Sequence, residues 1–253
     1  MTRIAVFDSG LGSLSIIKSL QRRCKIEIIY FADQKNFPYG NKPKPKLEKI
    51  VKNSIKVLHD KFNPDFIIVG SNTPTIILEI KDKGIIGVNP PIKEAVQRSQ
   101  TKNIGIFASK ALVNSRNLSK YIKNCKLPKG AFVHKINASD LIQLVESGKF
   151  LTDKNYCKKI IKNSLKNILS EKKIDVVTLS STHLPFLKPI LKSQFPEICF
   201  IDPSNNVAIE ICKKIKKQQK NNSLKIFSSD QTGTFQKNLI KLGIKNKIKY
   251  LSI

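Results

Sequence analysis

Polar side chains that could carry out acid–base or nucleophilic chemistry follow three short apolar runs of the chain. Asp8 and Ser9 end the first run, Ser71 comes shortly after the second, and Ser181 and His183 follow the third. Open α/β sheets bind ligands just beyond the carboxyl ends of their strands. A serine hydroxyl becomes a useful nucleophile when a neighbouring base accepts its proton, and histidine is a common base. Ser181 has His183 two residues away, whereas Ser71 has no obvious base beside it in the sequence.

Apolar runs alternate with amphipathic, lysine-rich segments along the whole chain. The runs predict strands at 3–8, 26–32, 66–70, 85–88, 104–108, 131–135, 174–179, 198–202 and 224–228. The intervening segments predict helices at 13–21, 46–60, 91–99, 111–124, 139–147, 154–171 and 204–219. Strands that alternate with helices predict βαβ units and parallel sheets. The runs are continuously apolar, as in strands that are covered on both faces.

A weak internal repeat suggests that the chain contains two related halves. IAVFDS at 4–9 resembles IGIFAS at 104–109, and VGSNTPT at 69–75 resembles LSSTHLP at 179–185. Both pairs lie at predicted strand ends. The repeat therefore predicts two α/β halves whose matched strand ends meet at one cleft, although short strand ends can also look alike by chance.

The formal net charge is +28, which raises the question of a nucleic-acid partner. Only five of the 46 basic residues are arginine, aromatic residues make up 7%, and there is no tryptophan. Proteins that read nucleic acids favour arginine forks and stacking aromatic side chains. The lysines are also spread along the whole chain. The composition therefore favours nonspecific adhesion to polyanions at low salt over a specific nucleic-acid site.

The cysteines and the N-terminal residues indicate whether a metal site, a disulfide framework or a membrane location is expected. The five cysteines are widely spaced and include no C-x-x-C pair, so neither a zinc site nor a disulfide framework is expected. Each cysteine is instead predicted to be a small buried or half-buried apolar residue. The N-terminus leads directly into a strand-like run without a secretory signal, and no apolar run is long enough to cross a membrane. A cytoplasmic protein without membrane association is expected.

Seven motifs resemble those of the glutamate racemases, which belong to the aspartate/glutamate racemase superfamily. In chain order they are FDSGLGSLSIIKSL, FADQKNFPYG, GSNTPT, ASDLIQLVESG, SSTHLPFL, IDPSNNVA and FSSD. The resemblance implies an α/β fold of two flavodoxin-like, doubly wound domains with parallel sheets. It also implies a pseudo-two-fold relation between the domains, with the active-site cleft between them. The expected domains are 1–94 plus 205–253, and 95–204. No cofactor or metal is implied.

The resemblance also implies a set of site residues. Family members carry one catalytic cysteine in a Cys-Asn-Thr motif and one in a Cys-Thr-His motif, and the two act on opposite faces of the substrate α-carbon. These motifs fall on Ser71-Asn72-Thr73 and Ser181-Thr182-His183, so serine stands at both cysteine positions. The expected catalytic residues are Ser71, Ser181, His183, Asp8 and Glu146. The expected substrate-binding residues are Ser9, Pro38, Tyr39, Gly40, Asn72, Thr73 and Thr182.

Three hypotheses remain open at this stage. The first is a racemase-like protein that binds a small amino dicarboxylic acid and is catalytically impaired by its two serines. The second is an active, cofactor-independent glutamate or aspartate racemase with altered chemistry. The third is a basic scaffold that contacts nucleic acid. A homodimer remains open under each of them. A family Gly-Thr pair that supplies a substrate-binding threonine falls on Ala111-Leu112, which adds to the case for altered chemistry.

Overall fold

The chain forms two compact α/β units in the computed structural model, which describes residues 2–80, 82–215, 217–230 and 233–253. The first unit comprises Met1–Val88 and Ser204–Ile253, and the second comprises Asn89–Pro203. The sequence places the first boundary after residue 94. In the structure, α4 (Ile92–Arg98) belongs to the second unit, because its Ala95 packs against Ile104 and Val176.

The helices and strands alternate as the sequence predicts. The strands are β1 (Arg3–Asp8), β2 (Glu27–Ala32), β3 (Phe66–Val69), β4 (Ile85–Gly87), β5 (Asn103–Ala108), β6 (Phe132–Asn137), β7 (Val176–Leu179), β8 (Cys199–Ile201), β9 (Ser223–Ser228) and β10 (Ile248–Tyr250). The α-helices are α1 (Leu14–Arg23), α2 (Lys44–Phe62), α3 (Asn72–Ile77), α4 (Ile92–Arg98), α5 (Lys110–Val113), α6 (Arg116–Asn124), α7 (Ser139–Glu146), α8 (Lys149–Thr152), α9 (Lys154–Glu171), α10 (Lys188–Gln194), α11 (Ser204–Lys214) and α12 (Gly233–Lys241). Short 3₁₀ helices span Gln34–Asn36, Tyr39–Asn41 and Leu184–Leu187.

Each unit contains one parallel sheet. The strand order is β10-β9-β2-β1-β3-β4 in the first unit and β6-β5-β7-β8 in the second. All paired strands run parallel. The prediction of two α/β halves with parallel sheets is therefore confirmed. The matched strings of the internal repeat lie on β1 and β5 and at the ends of β3 and β7, which hold equivalent places in the two sheets.

The central strands of the first sheet are buried on both faces, as their continuous apolar runs predict. Every residue of β2 is buried, and so is every residue of β1 after Arg3. On one face, Phe7 and Phe31 pack in a cluster with Leu47 of α2 and Val69 of β3. Burial of this kind contributes about 25 cal/mol for each Å² of apolar surface removed from water. The ends of β1 and β3 are thereby held in fixed register.

All nine predicted strands are present within two residues of their expected bounds, but several elements were not predicted. The apolar and amphipathic patterns did not predict β10, α3, α8, α10 and α12. It also predicted one helix over 111–124, whereas the structure contains α5 and α6. The break falls at Ser115, whose side chain accepts a hydrogen bond from Leu118 N and so starts a new helix.

Cys24 is buried and Cys212 half-buried, as predicted, but the expectation that the chain forms no disulfide was wrong. Cys24, at the end of α1, and Cys212, in α11, form a disulfide bond with a Cα–Cα distance of 6.2 Å. The two residues are 188 positions apart and come together because α1 packs against α11. Cys125 and Cys157 are buried and Cys199 is half-buried, as predicted. Within the part of the chain that the structure describes, no helix has the length and apolar character needed to cross a membrane.

A buried carboxylate connects three strands of the first sheet. Glu27 on β2 is 5% exposed, and its carboxylate accepts hydrogen bonds from Arg3 Nε and Lys225 Nζ, each at 2.7 Å. Burial alone would raise the pKa of Glu27, but the hydrogen bonds from Lys225 and Arg3 outweigh it and leave the pKa below its ordinary value. Ionised Glu27 therefore stabilises the folded state.

We predict that Glu27→Gln lowers the free energy of unfolding by about 1–2 kcal/mol at neutral pH. Because the folded-state pKa is depressed, this contribution is present above the unfolded-state pKa and is lost as the pH falls through the folded-state value. Urea unfolding at neutral and acid pH measures the difference. Glu48→Gln is the matched control, since Glu48 pairs with Lys52 on an exposed face of α2, and we expect it to change little. If Glu27→Gln lowered the free energy of unfolding equally at every pH, the ionised carboxylate of Glu27 would not be the source of the stabilisation.

The end of β3 lies so close to the start of α1 that only glycine fits at position 70. A Cβ atom added to Gly70 would lie 2.9 Å from Ser13 Cβ and 3.1 Å from the carbonyl oxygen of Phe7. The first of these distances is shorter than real Cβ contacts. Gly70 thereby sets where the residues after β3 emerge from the sheet.

We predict that Gly70→Ala destabilises the protein by about 1–3 kcal/mol, because the new methyl group overpacks this junction. Adding Ser13→Gly should recover only part of the loss, because it relieves the contact but also removes the hydrogen bond that Ser13 Oγ donates to the carbonyl oxygen of Gly70 at 3.2 Å. Gly233→Ala is the control, because its Cβ atom would have no neighbour within 4 Å. Denaturant unfolding measures the free energy of unfolding of each variant. Equal stability of Gly70→Ala and the unaltered chain would contradict the close contact.

Candidate functional site

Both sheets reverse their strand order at a central pair of strands, and the candidate residues lie at these two places. From β1 the chain passes to β2 on one side and returns to β3 on the other, and β5, β6 and β7 repeat this course. Ligands of open α/β sheets bind outside the carboxyl ends of the strands at such a reversal. Asp8 is the last residue of β1 and Ser9 follows it, and Ser71 lies shortly after β3. Ser181 and His183 follow β7.

In the first unit, the residues after β1 form a buried polar turn. Asp8 and Ser9 are both buried, and Asp8 Oδ1 accepts a hydrogen bond from Ser9 N at 2.7 Å. The carbonyl oxygen of Asp8 accepts a hydrogen bond from Asp33 N, also at 2.7 Å, which joins this turn to the residues after β2. Asp8 therefore helps to shape its own turn as well as lying at the reversal.

The residues after β2 hold the loop that contains Pro38, Tyr39 and Gly40. Asp33 has no exposed surface, and its carboxylate accepts hydrogen bonds from Tyr39 Oη at 3.0 Å and Ser229 Oγ at 2.9 Å. Burial raises the pKa of Asp33 and raises that of Tyr39 well above its ordinary value. The Tyr39 hydroxyl thus donates to a residue of its own unit. Sequence reasoning did not select Asp33, although Asp33 follows β2 just as Asp8 closes β1.

Asn72 presents an unsatisfied acceptor next to Ser71. Its side chain is 1% exposed, and Nδ2 donates a hydrogen bond to the carbonyl oxygen of Val88 at 2.9 Å. Its Oδ1 has no hydrogen-bond partner among the described residues. A buried acceptor without a partner costs about 1–3 kcal/mol, so such an atom calls for an explanation. A donor group on a bound ligand is one way to satisfy Asn72 Oδ1. Thr73, the next residue, is also buried.

Ser71 lacks a histidine partner within its own unit. It precedes α3 at the N-cap position, but its side chain makes no capping hydrogen bond. The single histidine of the first unit's sequence is His59. His59 lies on α2 with a largely exposed side chain, and its Nδ1 is 3.6 Å from Asp60 Oδ1. The first unit therefore offers Ser71 no imidazole base.

The second unit contains a chain of three connected polar side chains. Ser181 Oγ lies 3.3 Å from His183 Nδ1, and His183 Nε2 hydrogen-bonds to Glu146 Oε1. The side chains of His183 and Glu146 are only 8% and 10% exposed, whereas Ser181 is half-buried. The structure thus brings together the three second-unit residues for which the sequence analysis predicted a catalytic role.

Three elements hold this chain of side chains in place. The strand β7 is buried throughout, and beyond it the Ser180 hydroxyl is paired with Thr178 Oγ1 at 2.8 Å. His183 stands at the start of the 3₁₀ helix Leu184–Leu187, which packs against α7. Glu146 is the last residue of α7, whose buried face contains Leu141, Leu144 and Val145.

The hydrogen bond to Glu146 selects one tautomer of His183. An ionised carboxylate only accepts hydrogen bonds, so His183 Nε2 must carry the proton that it shares with Glu146. In a neutral imidazole this leaves Nδ1 as an acceptor, and Nδ1 is the atom that faces Ser181 Oγ. A carboxylate that orients a histidine, which in turn faces a serine hydroxyl, is the arrangement that activates serine nucleophiles.

The other predicted ligand-binding residues lie close in sequence either to the polar residues at the strand ends of the first unit or to the linked side chains of Ser181 and His183 in the second. Thr182 is buried between Ser181 and His183 in the second unit. Pro38 and Gly40 flank Tyr39 in the first. Leu112, at the position where the resemblance implies a threonine, is fully buried. No hydroxyl is therefore present at that position of α5.

Comparisons with known proteins agree with this architecture. No family model matches the chain. A glutamate racemase of Persephonella marina is 31% identical over 244 residues, which span 92% of this chain and 90% of the relative. A crystal structure of a glutamate racemase isoform from Bacillus anthracis has a TM-score of 0.86 at 22% identity, with 100% of this chain and 98% of that chain covered.

A Francisella tularensis glutamate racemase, crystallised in complex with D-glutamate, has a TM-score of 0.80 at 23% identity and covers 99% of this chain and 97% of that chain. The likeness to these solved structures shows the shared fold. The 31% sequence identity to the Persephonella relative, over nine-tenths of both chains, shows family membership as well as a shared fold. By that measure the chain belongs to the glutamate racemase family.

Proposed function

We propose that the chain is a glutamate racemase-like protein that binds a small amino dicarboxylic acid but is impaired as a racemase. The observation that carries the proposal is that two equivalent serines differ in whether a histidine lies beside them. Both follow strands at a reversal of strand order, and by resemblance both stand where the family has a catalytic cysteine. Ser181 faces His183, whereas Ser71 has no histidine in its unit.

Buried polar groups at both reversals support the binding of a small charged ligand. Asp8, Ser9, Asn72, Thr73 and Thr182 are all less than a tenth exposed. A buried oxygen that lacks a hydrogen-bond donor within the protein can accept one from a ligand, and an ammonium group is such a donor. Asn72 Oδ1 is such an oxygen, without a partner among the described residues. Glutamate is the first ligand to test, because the relatives are glutamate racemases and one of them was crystallised with D-glutamate.

The change from thiol to hydroxyl supports impaired racemisation. A cysteine thiol has a pKa of about 8.5, whereas an alkyl hydroxyl is closer to water, at about 15.7. Ionising the hydroxyl at neutral pH is therefore harder by roughly seven pKa units, or about 9–10 kcal/mol. The greater basicity of an alkoxide recovers only part of this cost.

Racemisation also requires both acid–base groups in either direction. One group removes the α-proton from one face and the other returns a proton to the opposite face, so the weaker group limits both directions. Ser71 is the weaker group, because its own unit contains no imidazole placed to take its proton. Even if Ser181 is activated by His183, net inversion is therefore expected to be slow.

We predict that the protein binds L- or D-glutamate in calorimetry but does not convert either enantiomer into the other faster than a heat-denatured control. Proton NMR of the α-position measures exchange, and chiral chromatography measures inversion. L- and D-aspartate are run in parallel. Exchange together with inversion would contradict the impairment and favour an active isomerase with altered chemistry. Failure to bind any of the four acids would contradict the ligand class.

We further predict that Ser71→Cys combined with Ser181→Cys raises racemisation by about 10²–10⁴-fold over the parent protein, the usual range for a positioned acid–base group. Each single replacement should restore much less, since inversion needs both groups. Ser193→Cys is the matched control, because Ser193 lies on an exposed part of α10. If the double variant binds glutamate and remains inactive, the two serines are not the cause of the impairment.

A further inference from the structure

The connected side chains of Ser181, His183 and Glu146 lie wholly within the second unit. Their arrangement suits nucleophilic chemistry, which racemisation does not use. We propose that Ser181 is a nucleophile that accepts acyl groups, and that the second unit hydrolyses small activated carboxylic esters through these three residues. This activity goes beyond the proposed function, because it needs neither Ser71 nor a dicarboxylate ligand.

The geometry gives each of the three residues a separate role. Ser181 Oγ is the attacking atom, and His183 Nδ1, 3.3 Å away, is the base that takes its proton. This distance is longer than that of a strong hydroxyl hydrogen bond, as is common for catalytic pairs without a bound ligand. Glu146 is a positioning residue that holds the proton of His183 on Nε2 and stabilises the imidazolium that forms.

The burial pattern favours this serine over its neighbours. The imidazole and the carboxylate are largely shielded from water, which strengthens the interaction between them, whereas Ser181 is half-buried and can be reached. Ser180 is closed off, because it is 1% exposed and its hydroxyl is paired with Thr178.

The reaction balances without a cofactor. As Ser181 Oγ forms a bond to the acyl carbon, its proton passes to His183 Nδ1. The ester C–O bond then breaks, and the leaving alcohol departs with the proton from His183. Water repeats the sequence: His183 takes its proton, hydroxide attacks the acyl–serine carbon, and the free acid leaves as Ser181 regains its proton. The net reaction is ester plus water to acid plus alcohol.

A fluorophosphonate probe tests the nucleophile directly. Ser181 Oγ would form a bond to phosphorus, the P–F bond would break, and fluoride would leave with the serine proton as its counter-ion. We expect one adduct per chain by intact mass, located on Ser181 by peptide mapping. This probe is preferable to an ester alone, because the many lysines and the free cysteines of the chain could also be acylated.

Variants separate a catalytic arrangement from a merely structural one. Ser181→Ala should abolish the adduct, and His183→Gln should slow labelling by about 10²–10⁴-fold, the range for loss of a general base. Glu146→Gln should slow labelling and alter its dependence on pH, whereas a purely structural Glu146 would leave the pH profile of the remaining reaction unchanged. Ser170→Ala, on an exposed part of α9, is the control and should label as the parent does.

Turnover of p-nitrophenyl acetate provides the second measurement. Acetylated lysine is stable, so only repeated release of p-nitrophenol beyond one equivalent per nucleophile reports a catalytic cycle. We expect turnover that is lost in Ser181→Ala and retained in Ser170→Ala. Circular dichroism confirms that each variant is folded. The proposal is overturned if no adduct forms on Ser181, if His183→Gln labels at the parent rate, or if turnover survives in Ser181→Ala.

Discussion

The reversal of strand order at the centre of each parallel sheet is the constraint on which the candidate chemistry depends. The strands β1 and β3 are neighbours, but the connection from β1 runs to β2 on one side and the connection from β3 runs to β4 on the other. The polar residues after β1 and β3 are therefore not covered by one common connection. The same course through β5, β6 and β7 repeats the arrangement in the second unit. Burial of the strands holds these ends in register, and the contact between Gly70 and Ser13 is one example of how closely they are fixed.

Equivalent positions in the two units carry unequal chemistry. Ser71 and Ser181 follow equivalent strands, but only Ser181 is connected to an imidazole and, through it, to a carboxylate. A hydroxyl replaces a thiol poorly as a base for an α-proton, because its pKa is higher by roughly seven units. With a histidine beside it, the same hydroxyl is a competent nucleophile for acyl carbon. The two proposals share this origin, because the same serines would weaken the family reaction and would give the second unit a different reactivity.

The sequence predicts much of this arrangement because strand ends have local signals. The apolar runs placed nine strands, and the resemblance selected Glu146, which no local pattern connects to Ser181. Other features depend on contacts that are distant in sequence. The disulfide joins residues that meet only when α1 packs on α11, and the buried role of Asp33 depends on Ser229 near the other end of the chain. The short helix α3 was missed because it contains Pro74, which is tolerated only because the first turn of a helix has unpaired N–H groups.

The central claim is that Glu146 fixes His183 in the tautomer that leaves Nδ1 facing Ser181. Nitrogen-15 NMR of histidine-labelled protein tests it most directly, because the chain has only three histidines and His183→Gln identifies the relevant signals. The account predicts that the neutral form of the imidazole carries its proton on Nε2, with a preference that weakens in Glu146→Gln. A ring protonated on Nδ1, or one that exchanges between tautomers as freely as exposed His59, would contradict it.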